Sequence, residues 1–248
     1  MCGELSYNNS LTSVQTETSF GYSHKTFATT CDVCGSTYTS AGDNATNNAQ
    51  KCTALVTYLT CLEGSGKGDD GCPLQPANAA AIETDFTSAN CSTEADFTNT
   101  CICQKDFWKT NQNTNATKCS ATTAYIACLK WKTKKACDGS TTVTALATGV
   151  ETRIKDLGST ACPVTPTCQC EINATKADIA SDAKMCTVLT TLKTCLSAIN
   201  TTDELGCATD TQATLLNDTN TKIATCAADH VTFAMTSLFV SVLVNMFL

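Results

Sequence analysis

Apolar side chains recur with helical spacing in three similar segments of the chain. The segments are Lys51–Leu62, Lys118–Leu129 and Met185–Leu196, and each begins 67 residues after the previous one. In the first segment, Leu55, Leu59 and Leu62 follow the first cysteine at positions +3, +7 and +10, which places them on one face of a helix. The pattern therefore predicts an amphipathic helix in each segment.

Each of these helices contains two cysteines that are nine positions apart. The pairs are Cys52 and Cys61, Cys119 and Cys128, and Cys186 and Cys195. Residues nine apart on an α-helix are separated by about 13.5 Å along its axis and lie on different sides of it. Because a disulfide requires two Cα atoms within about 7 Å, the two cysteines of a pair are expected to bond to different neighbouring segments.

The other cysteines extend this pattern into three units of six cysteines each. A unit opens with a close pair, continues with the nine-apart pair and ends with two single cysteines. The first unit, 31–91, contains Cys31, Cys34, Cys52, Cys61, Cys72 and Cys91; the second, 101–162, contains Cys101, Cys103, Cys119, Cys128, Cys137 and Cys162; the third, 168–226, contains Cys168, Cys170, Cys186, Cys195, Cys207 and Cys226. The sequence thus predicts a mainly α fold of three tandem disulfide-stapled helical repeats of about 65 residues each.

This spacing restricts the disulfide connectivity without determining it. Six cysteines allow 15 pairings, and excluding a bond inside the close pair or inside the nine-apart pair leaves ten. A second helix is expected between the fifth and sixth cysteines of each unit, at 77–90, 144–159 and 211–225. Short joints at Ser92–Thr100 and Pro163–Thr167 are expected to connect the units.

Cysteine usage indicates an oxidising compartment. There are 19 cysteines among 248 residues, and the even number in each unit is what a closed disulfide framework requires. Metal binding is the alternative, but zinc sites usually combine paired C-x2-C modules or cysteine with histidine, and the only histidines are His24 and His230. Each unit is small and rich in small side chains, so its stability is expected to depend on cross-links.

Charge and motifs argue against nucleic-acid binding and catalysis. The formal net charge is −7, whereas nucleic-acid binding requires a basic face. The one basic cluster, Trp131–Lys135, is interpreted as a solvated turn. Glu63–Gly71 is glycine-rich, but it follows a helix and lacks the Gly-Lys-[Ser/Thr] ending of a phosphate loop, and the close pair at 31–34 lacks the βαβ context of a redox motif. We therefore expect no enzymatic activity, no cofactor and no bound metal.

Potential N-glycosylation sites are frequent. The sequence N-x-[ST] occurs at Asn8, Asn44, Asn115, Asn173, Asn200 and Asn217. Three of these, Asn44, Asn115 and Asn173, begin Asn-Ala-Thr, one in each unit, between the close pair and the nine-apart helix. Asn90 also fits, although a cysteine at its middle position makes it a poorer acceptor. Glycan is expected at two or more of the sites.

The C-terminal stretch Val231–Leu248 is apolar and uncharged. Small residues precede it at Ala227 and Ala228, and Asp229–Ser237 can serve as a spacer. Small residues, a spacer and an apolar tail, in that order, are typical of a glycolipid (GPI) anchor signal. In this interpretation 227–248 is the signal, and the mature chain ends near Ala227 or Ala228. A packed C-terminal helix and a retained membrane span are the alternatives.

The N-terminal segment 1–30 lacks the apolar core of a signal peptide. Disulfides, glycans and a lipid anchor nevertheless require entry into the secretory route. We therefore expect the sequence to be incomplete at this end, with 1–30 as the remnant of an earlier repeat. Cys2 precedes Cys31 by 29 residues, as Cys72 precedes Cys101, so Cys2 matches the fifth cysteine of such a unit, although a sixth near Gly21 is missing.

Together these features predict an extracellular, GPI-anchored cell-surface glycoprotein with a non-enzymatic binding or recognition role. Its expected partners are the membrane, through the anchor, and an unidentified extracellular protein or glycan. A structural or protective surface coat, a single-pass membrane protein with the C-terminal helix retained, and a secreted hydrolase or inhibitor are the alternatives. The layout is similar, in architecture alone, to the helical cysteine-rich ectodomains of lipid-anchored growth-factor co-receptors of the glial-derived factor type; the spacings differ, so no residue role or ligand is transferred.

Overall fold

The computed structural model describes residues 31–65 and 76–226, and within these ranges the chain is mainly helical. The helices are α1 (Cys31–Asp43), α2 (Asn48–Ser65), α3 (Pro76–Ser88), α4 (Asn99–Trp108), α5 (Asn115–Leu129), α6 (Val143–Ala161), α7 (Pro166–Lys176), α8 (Asp182–Ser197) and α9 (212–226), with a short 3-10 helix at Cys91–Thr93. Within these ranges, the β-structure consists of one isolated antiparallel bridge between Leu205 and Thr211. The predicted mainly α fold is confirmed.

The three predicted nine-apart helices are α2, α5 and α8. Leu55, Leu59 and Leu62 are fully buried in α2, and the equivalent faces of α5 and α8 are buried as well. Thr114 starts α5 with a capping box, in which its side chain and that of Thr117 each accept the other's backbone N–H. The apolar stripe predicted from the sequence is therefore the face that each helix buries.

The close pairs of cysteines also lie on helices, α1, α4 and α7, which the sequence analysis did not predict. Thr98 and Thr165 cap α4 and α7, because each hydroxyl accepts the backbone N–H of the first cysteine of the close pair at 3.0 Å. A threonine three residues before a close pair is thus the sequence feature that could have predicted the start of α4 and of α7. No apolar period marks these helices, because several of their buried residues are polar, namely Gln104, Lys105, Glu171 and Thr175.

The second predicted helix of each unit is present as α3, α6 or α9, with ends within a few residues of the prediction. A kink at Gly158 lies within the last turn of α6, and its φ of 76° is one that glycine adopts without steric cost. Each predicted unit therefore contains three helices in the same order. The repeat boundaries themselves stay a prediction.

Buried side chains of the first and second units, together with Cys168, Ile172 and Cys207 of the third, form one continuous core. It extends from Leu59 in α2 through Phe107 and Trp108 in α4 to Ile172 in α7. A second, smaller cluster lies in the third unit and consists of Cys170, Ala174, Leu192, Leu196 and Leu215. The units are therefore packed against one another.

The two joints take part in this packing. In the first joint, Phe97 is buried and its ring lies 5.0 Å from that of Phe86 in an edge-to-face arrangement. Thr100 and Thr167, at the ends of the two joints, are fully buried and already belong to α4 and α7. The joints are short, as expected, and their residues help to hold adjacent units together.

Removing the cap of α4 tests this account of the local structure. In Thr98→Ala, the Cys101 N–H loses its acceptor, and the bond that the Thr98 hydroxyl donates to the Lys135 carbonyl at 2.7 Å is lost too. We expect the free energy of unfolding to fall by about 1–2 kcal/mol, measured by denaturant unfolding with the disulfides intact. Thr148→Ala, at an exposed position of α6, is the matched control and should change it by less than about 0.5 kcal/mol. An equal loss in both variants would contradict the capping role.

Candidate functional site

Eight disulfides join cysteines of the described residues. They are Cys34–Cys61 and Cys52–Cys91 in the first unit, Cys101–Cys137, Cys103–Cys128 and Cys119–Cys162 in the second, and Cys168–Cys207, Cys170–Cys195 and Cys186–Cys226 in the third. If the six cysteines of a unit are numbered in order, the second and third units share the connectivity 1–5, 2–4, 3–6. The first unit shows the 2–4 and 3–6 bonds. The structure therefore selects one of the ten pairings that the sequence left open.

This connectivity confirms that the cysteines of a nine-apart pair bond to different segments. In the second unit, Cys128 bonds back to Cys103 on α4, and Cys119 bonds forward to Cys162 at the end of α6. The middle helix α5 is therefore covalently tied to the helix before it and to the helix after it. The expectation that a close pair does not bond to itself is confirmed as well.

The bond between the first and fifth cysteines has the same surroundings in the second and third units. Gln104 accepts the backbone N–H of Cys137 at 2.7 Å, and Glu171 accepts that of Cys207 at 2.6 Å. Both acceptors are the residue directly after the close pair. Gly206 is required beside Glu171, because a Cβ at this position would overlap the carboxylate. The fifth-cysteine loop is thus held against the first helix by a bridge and a buried hydrogen bond.

The shared connectivity predicts the remaining bond of the first unit. Cys72 lies outside the described residues, and the side chain of Cys31 is outside them too. As first and fifth cysteines of their unit, they are expected to bond to each other. Peptide mapping of the non-reduced protein should recover a peptide pair that joins Cys31 to Cys72. A bond from either residue to Cys2 would contradict the prediction, and the Cys101–Cys137 peptide pair serves as the internal control.

A partly buried carboxylate lies at the joint between the first and second units. Glu63, near the end of α2, accepts hydrogen bonds from Trp108 Nε1 at 3.1 Å and from Arg153 Nη2 at 2.8 Å. The Glu63 and Arg153 side chains are each 16% exposed. The Arg153 guanidinium also lies over the rings of Phe107 and Trp108, at 5.1 and 5.4 Å from their centroids. One residue of the first unit thus contacts both α4 and α6 of the second.

Tyr125 lies in the core near this ion pair. Its ring stacks on that of Phe107 with 4.8 Å between the centroids. Within the described residues, neither its buried hydroxyl nor Nη1 of Arg153 has a hydrogen-bond partner. Burial raises the pKa of Tyr125 well above the usual tyrosine value, and the Glu63 carboxylate raises it further. The phenol therefore stays neutral at physiological pH, and its ring contributes to packing through the stack on Phe107.

A second set of charges spans the same joint. Glu83 of α3 accepts hydrogen bonds from Lys105 at 2.7 Å and from Lys109 at 3.0 Å. The bond from Lys105 is the main reason that the pKa of Glu83 lies below its usual value. Lys105 is 4% exposed, contacts Asp106 at 3.2 Å and lies 4.2 Å from the centroid of the Phe86 ring. This buried lysine is therefore paired with two carboxylates and one aromatic ring.

At the joint between the second and third units the charges are reversed: the earlier unit supplies the cation and the later unit supplies the carboxylate. Lys130 stands two residues after the fourth cysteine, as Glu63 does in the first unit, and it donates to Glu171 Oε1 at 2.6 Å. The Glu171 side chain is 2% exposed. Next to it, Lys176 donates to Glu151 of α6 at 2.5 Å, and this bond lowers the pKa of Glu151. A glutamate in place of Lys130 would face the Glu171 carboxylate, so the two joints are not interchangeable.

A double-mutant cycle tests the second joint. Lys130→Met leaves the Glu171 carboxylate buried without its cation, and we expect the free energy of unfolding to fall by about 3 kcal/mol. Adding Glu171→Gln should restore at least half of this loss, because Gln104 already fills the same role beside Cys137 in the second unit. Denaturant unfolding of the two single variants and the double variant measures the coupling. Additive losses would show that the pair does not interact.

The basic cluster Trp131–Lys135 is a turn, as predicted, but it is not fully solvated. Lys134 and Lys135 are exposed, whereas Trp131 is half-buried and packs against the smaller core of the third unit. Its φ of 65° is rare for a bulky residue. The carbonyls of Lys134 and Lys135 accept hydrogen bonds from Thr100 and Thr98. The interpretation as a solvated turn was therefore wrong for Trp131, because the third unit covers its ring.

All predicted glycosylation sites within the described residues have an exposed asparagine; these are Asn44, Asn115, Asn173, Asn200 and Asn217, and Asn90 is exposed as well. Asn8 lies outside the described residues. The three Asn-Ala-Thr sites are not structurally equivalent: Asn44 follows α1, Asn115 is the first residue of α5, and Asn173 lies within α7. Their recurrence at a similar place in each unit therefore holds only at the level of sequence order, because the three asparagines stand 10, 12 and 3 residues after the second cysteine of their close pair.

The described residues contain neither a candidate metal-ion site nor a candidate membrane span. In residues 31–65 and 76–226, no group of three His, Cys, Asp or Glu side chains could hold a metal ion. The same ranges contain no helix long and apolar enough to cross a membrane. Several residues singled out in the sequence lie outside the described residues: His24, His230, Ala227, Ala228 and the rest of the C-terminal tail.

No protein-family model matches the chain, and no curated protein or solved structure is significantly similar to it.

Proposed function

We propose that the chain is the ectodomain of an extracellular glycoprotein that a C-terminal glycolipid holds at the outer face of the plasma membrane. The observation that carries this proposal is the set of eight disulfides in a body of about 200 residues. Such bonds persist in secreted and cell-surface proteins, whereas cytosolic thiols stay reduced. The tail after Cys226 supplies the proposed attachment.

A structural or protective surface role is the function that the described surface supports best. Threonine is the most frequent residue type among the exposed positions, and asparagine and serine are also common there. Many of these threonines satisfy their hydroxyls locally, as Thr53 and Thr57 do by donating to the carbonyl four residues earlier. The exposed acceptor asparagines are distributed over α5, α7, α9 and two loops. Glycans at these places would cover several sides of a cross-linked body.

Recognition of a protein or glycan ligand is the second candidate. The observation in its favour is the packing of the joints, which produces one continuous and preorganised surface from three small units. Preorganisation lowers the entropic cost of binding. Among described residues, the large apolar side chains with high exposure are Val33 and Leu205, at 49% and 51%. A ligand of this surface would therefore contact mainly hydroxyl, amide and charged groups.

Phospholipase release tests the proposed attachment. The full chain displayed on cells should appear in the medium after treatment with a phosphatidylinositol-specific phospholipase, because the lipid is the proposed link to the membrane. Retention on the cells would contradict the attachment. The released protein should resist trypsin until its bridges are reduced, as a protective role requires; rapid cleavage before reduction would favour the recognition role.

A matched pair of variants in α9 tests the glycans in the same released protein. Asn217 belongs to an acceptor sequence, whereas Asn220, three residues later and also exposed, does not. Asn217→Gln should increase the electrophoretic mobility by one glycan, and Asn220→Gln should leave it unchanged. A glycosidase that removes N-glycans should abolish the difference. Equal mobility of the two variants before treatment would show that Asn217 carries no glycan.

A further inference from the structure

Helices α8 and α9 form an antiparallel pair that is fixed at both ends. At one end, Gln212 Nε2 in the first turn of α9 donates to the Leu196 carbonyl at 2.7 Å. At the other end, Cys226 bonds to Cys186 in the second turn of α8. Since α8 has 16 residues, its two ends are about 24 Å apart. The loop that carries Asn200 follows α8 and therefore lies at the end opposite to the Cys186–Cys226 bond.

The end that contains this bond is well ordered by local contacts. The segment 177–181 turns from α7 into α8, and Asp178 accepts hydrogen bonds there from the Ala180 N–H at 2.9 Å and from Lys184. Ser181 caps α8 by accepting the Lys184 N–H. We refer to 176–186 together with 222–226 as the anchored end. Its backbone is thus held by a disulfide, a helix cap and a turn.

The described part of the chain ends at Cys226, within the anchored end. Cys226 directly precedes Ala227 and Ala228, the residues of the proposed lipid attachment. Two residues span at most about 7 Å even when fully extended. Because the bond to Cys186 holds Cys226 against α8, the protein part contributes almost no slack between the folded body and the glycolipid.

We propose that the anchored end lies against the headgroup surface of the lipid bilayer. This inference rests on the lipid attachment proposed above and goes beyond it by assigning an orientation to the third unit. Lys222 is exposed at this end and can face lipid phosphates, as can Lys184, which is exposed although its ammonium pairs with Asp178. Lys193, nearer the other end of α8, then faces away from the membrane. The Asn200 loop is then directed outward, which leaves its glycan unobstructed.

Amine labelling tests this orientation with an internal control. Lys184 and Lys193 are exposed on the same helix and about 13.5 Å apart along its axis. The reactivity of each lysine toward a membrane-impermeant amine reagent is measured by mass spectrometry on the cell-bound full chain and again after phospholipase release. Release should increase the labelling of Lys184 and Lys222 severalfold and leave that of Lys193 unchanged. Unchanged labelling at all three sites would overturn the proposal.

A spacer variant separates this proposal from the lipid attachment itself. Inserting a flexible Gly/Ser segment between Cys226 and Ala227 should lift the body from the bilayer, so that the phospholipase releases it severalfold faster and the lysine protection is lost. The same insertion between Gly139 and Ser140, in an exposed turn of the second unit, should change neither quantity. Release of all forms at one rate would refute the orientation and leave the attachment intact. No release of any form would refute the attachment, and the orientation with it.

Discussion

The double cross-linking of each middle helix is the constraint on which the rest of the structure depends. A helix that is bonded near one end to the preceding helix and near the other end to the following helix can neither slide nor rotate against them. In the second unit these bonds are Cys103–Cys128 and Cys119–Cys162. Each bridge contributes roughly 2–4 kcal/mol by restricting the unfolded chain. A body whose apolar side chains are mostly small can therefore stay folded.

Cross-linking also lets the first helix of a unit bury polar residues. Gln104 and Glu171 are almost fully buried, yet each accepts the backbone N–H of the fifth cysteine, which the 1–5 bridge holds in place. Lys105 is buried in the same helix and paired with Glu83 across the joint. Such groups would be costly if their partners could move away. The disulfides keep the partners in place, so polar contacts are available to define how the units meet.

Charge polarity then distinguishes one joint from the other. The first unit presents Glu63 to Trp108 and Arg153, whereas the second presents Lys130 to Glu171 from the matching position of its own middle helix. Placing the third unit directly after the first would instead bring the Glu63 carboxylate toward the buried Glu171 carboxylate. The joint charges therefore favour the observed neighbours, while the disulfides restrain the helices inside each predicted unit. The exposed positions are then free to carry threonine, asparagine and N-glycosylation acceptor sequences, which the proposed surface role would use.

The sequence by itself determined the helices α2, α5 and α8, their buried faces, the helices α3, α6 and α9, and the rule that nine-apart cysteines bond to different segments. The helices α2, α5 and α8 and the cysteine rule follow from the periodicity of one short recurring segment and from the reach of a disulfide, and α3, α6 and α9 follow from the residue pattern of their own segments. The choice among ten pairings, the helices α1, α4 and α7, and the joint contacts were decided only by the tertiary structure. Glu63 and Arg153 are 90 residues apart in the chain. The sequence alone does not distinguish a glutamate that packing will enclose from one that stays in solvent. Their pairing depends on how the packed helices bring residues that are distant in the chain into contact, and no short-range sequence pattern specifies that contact.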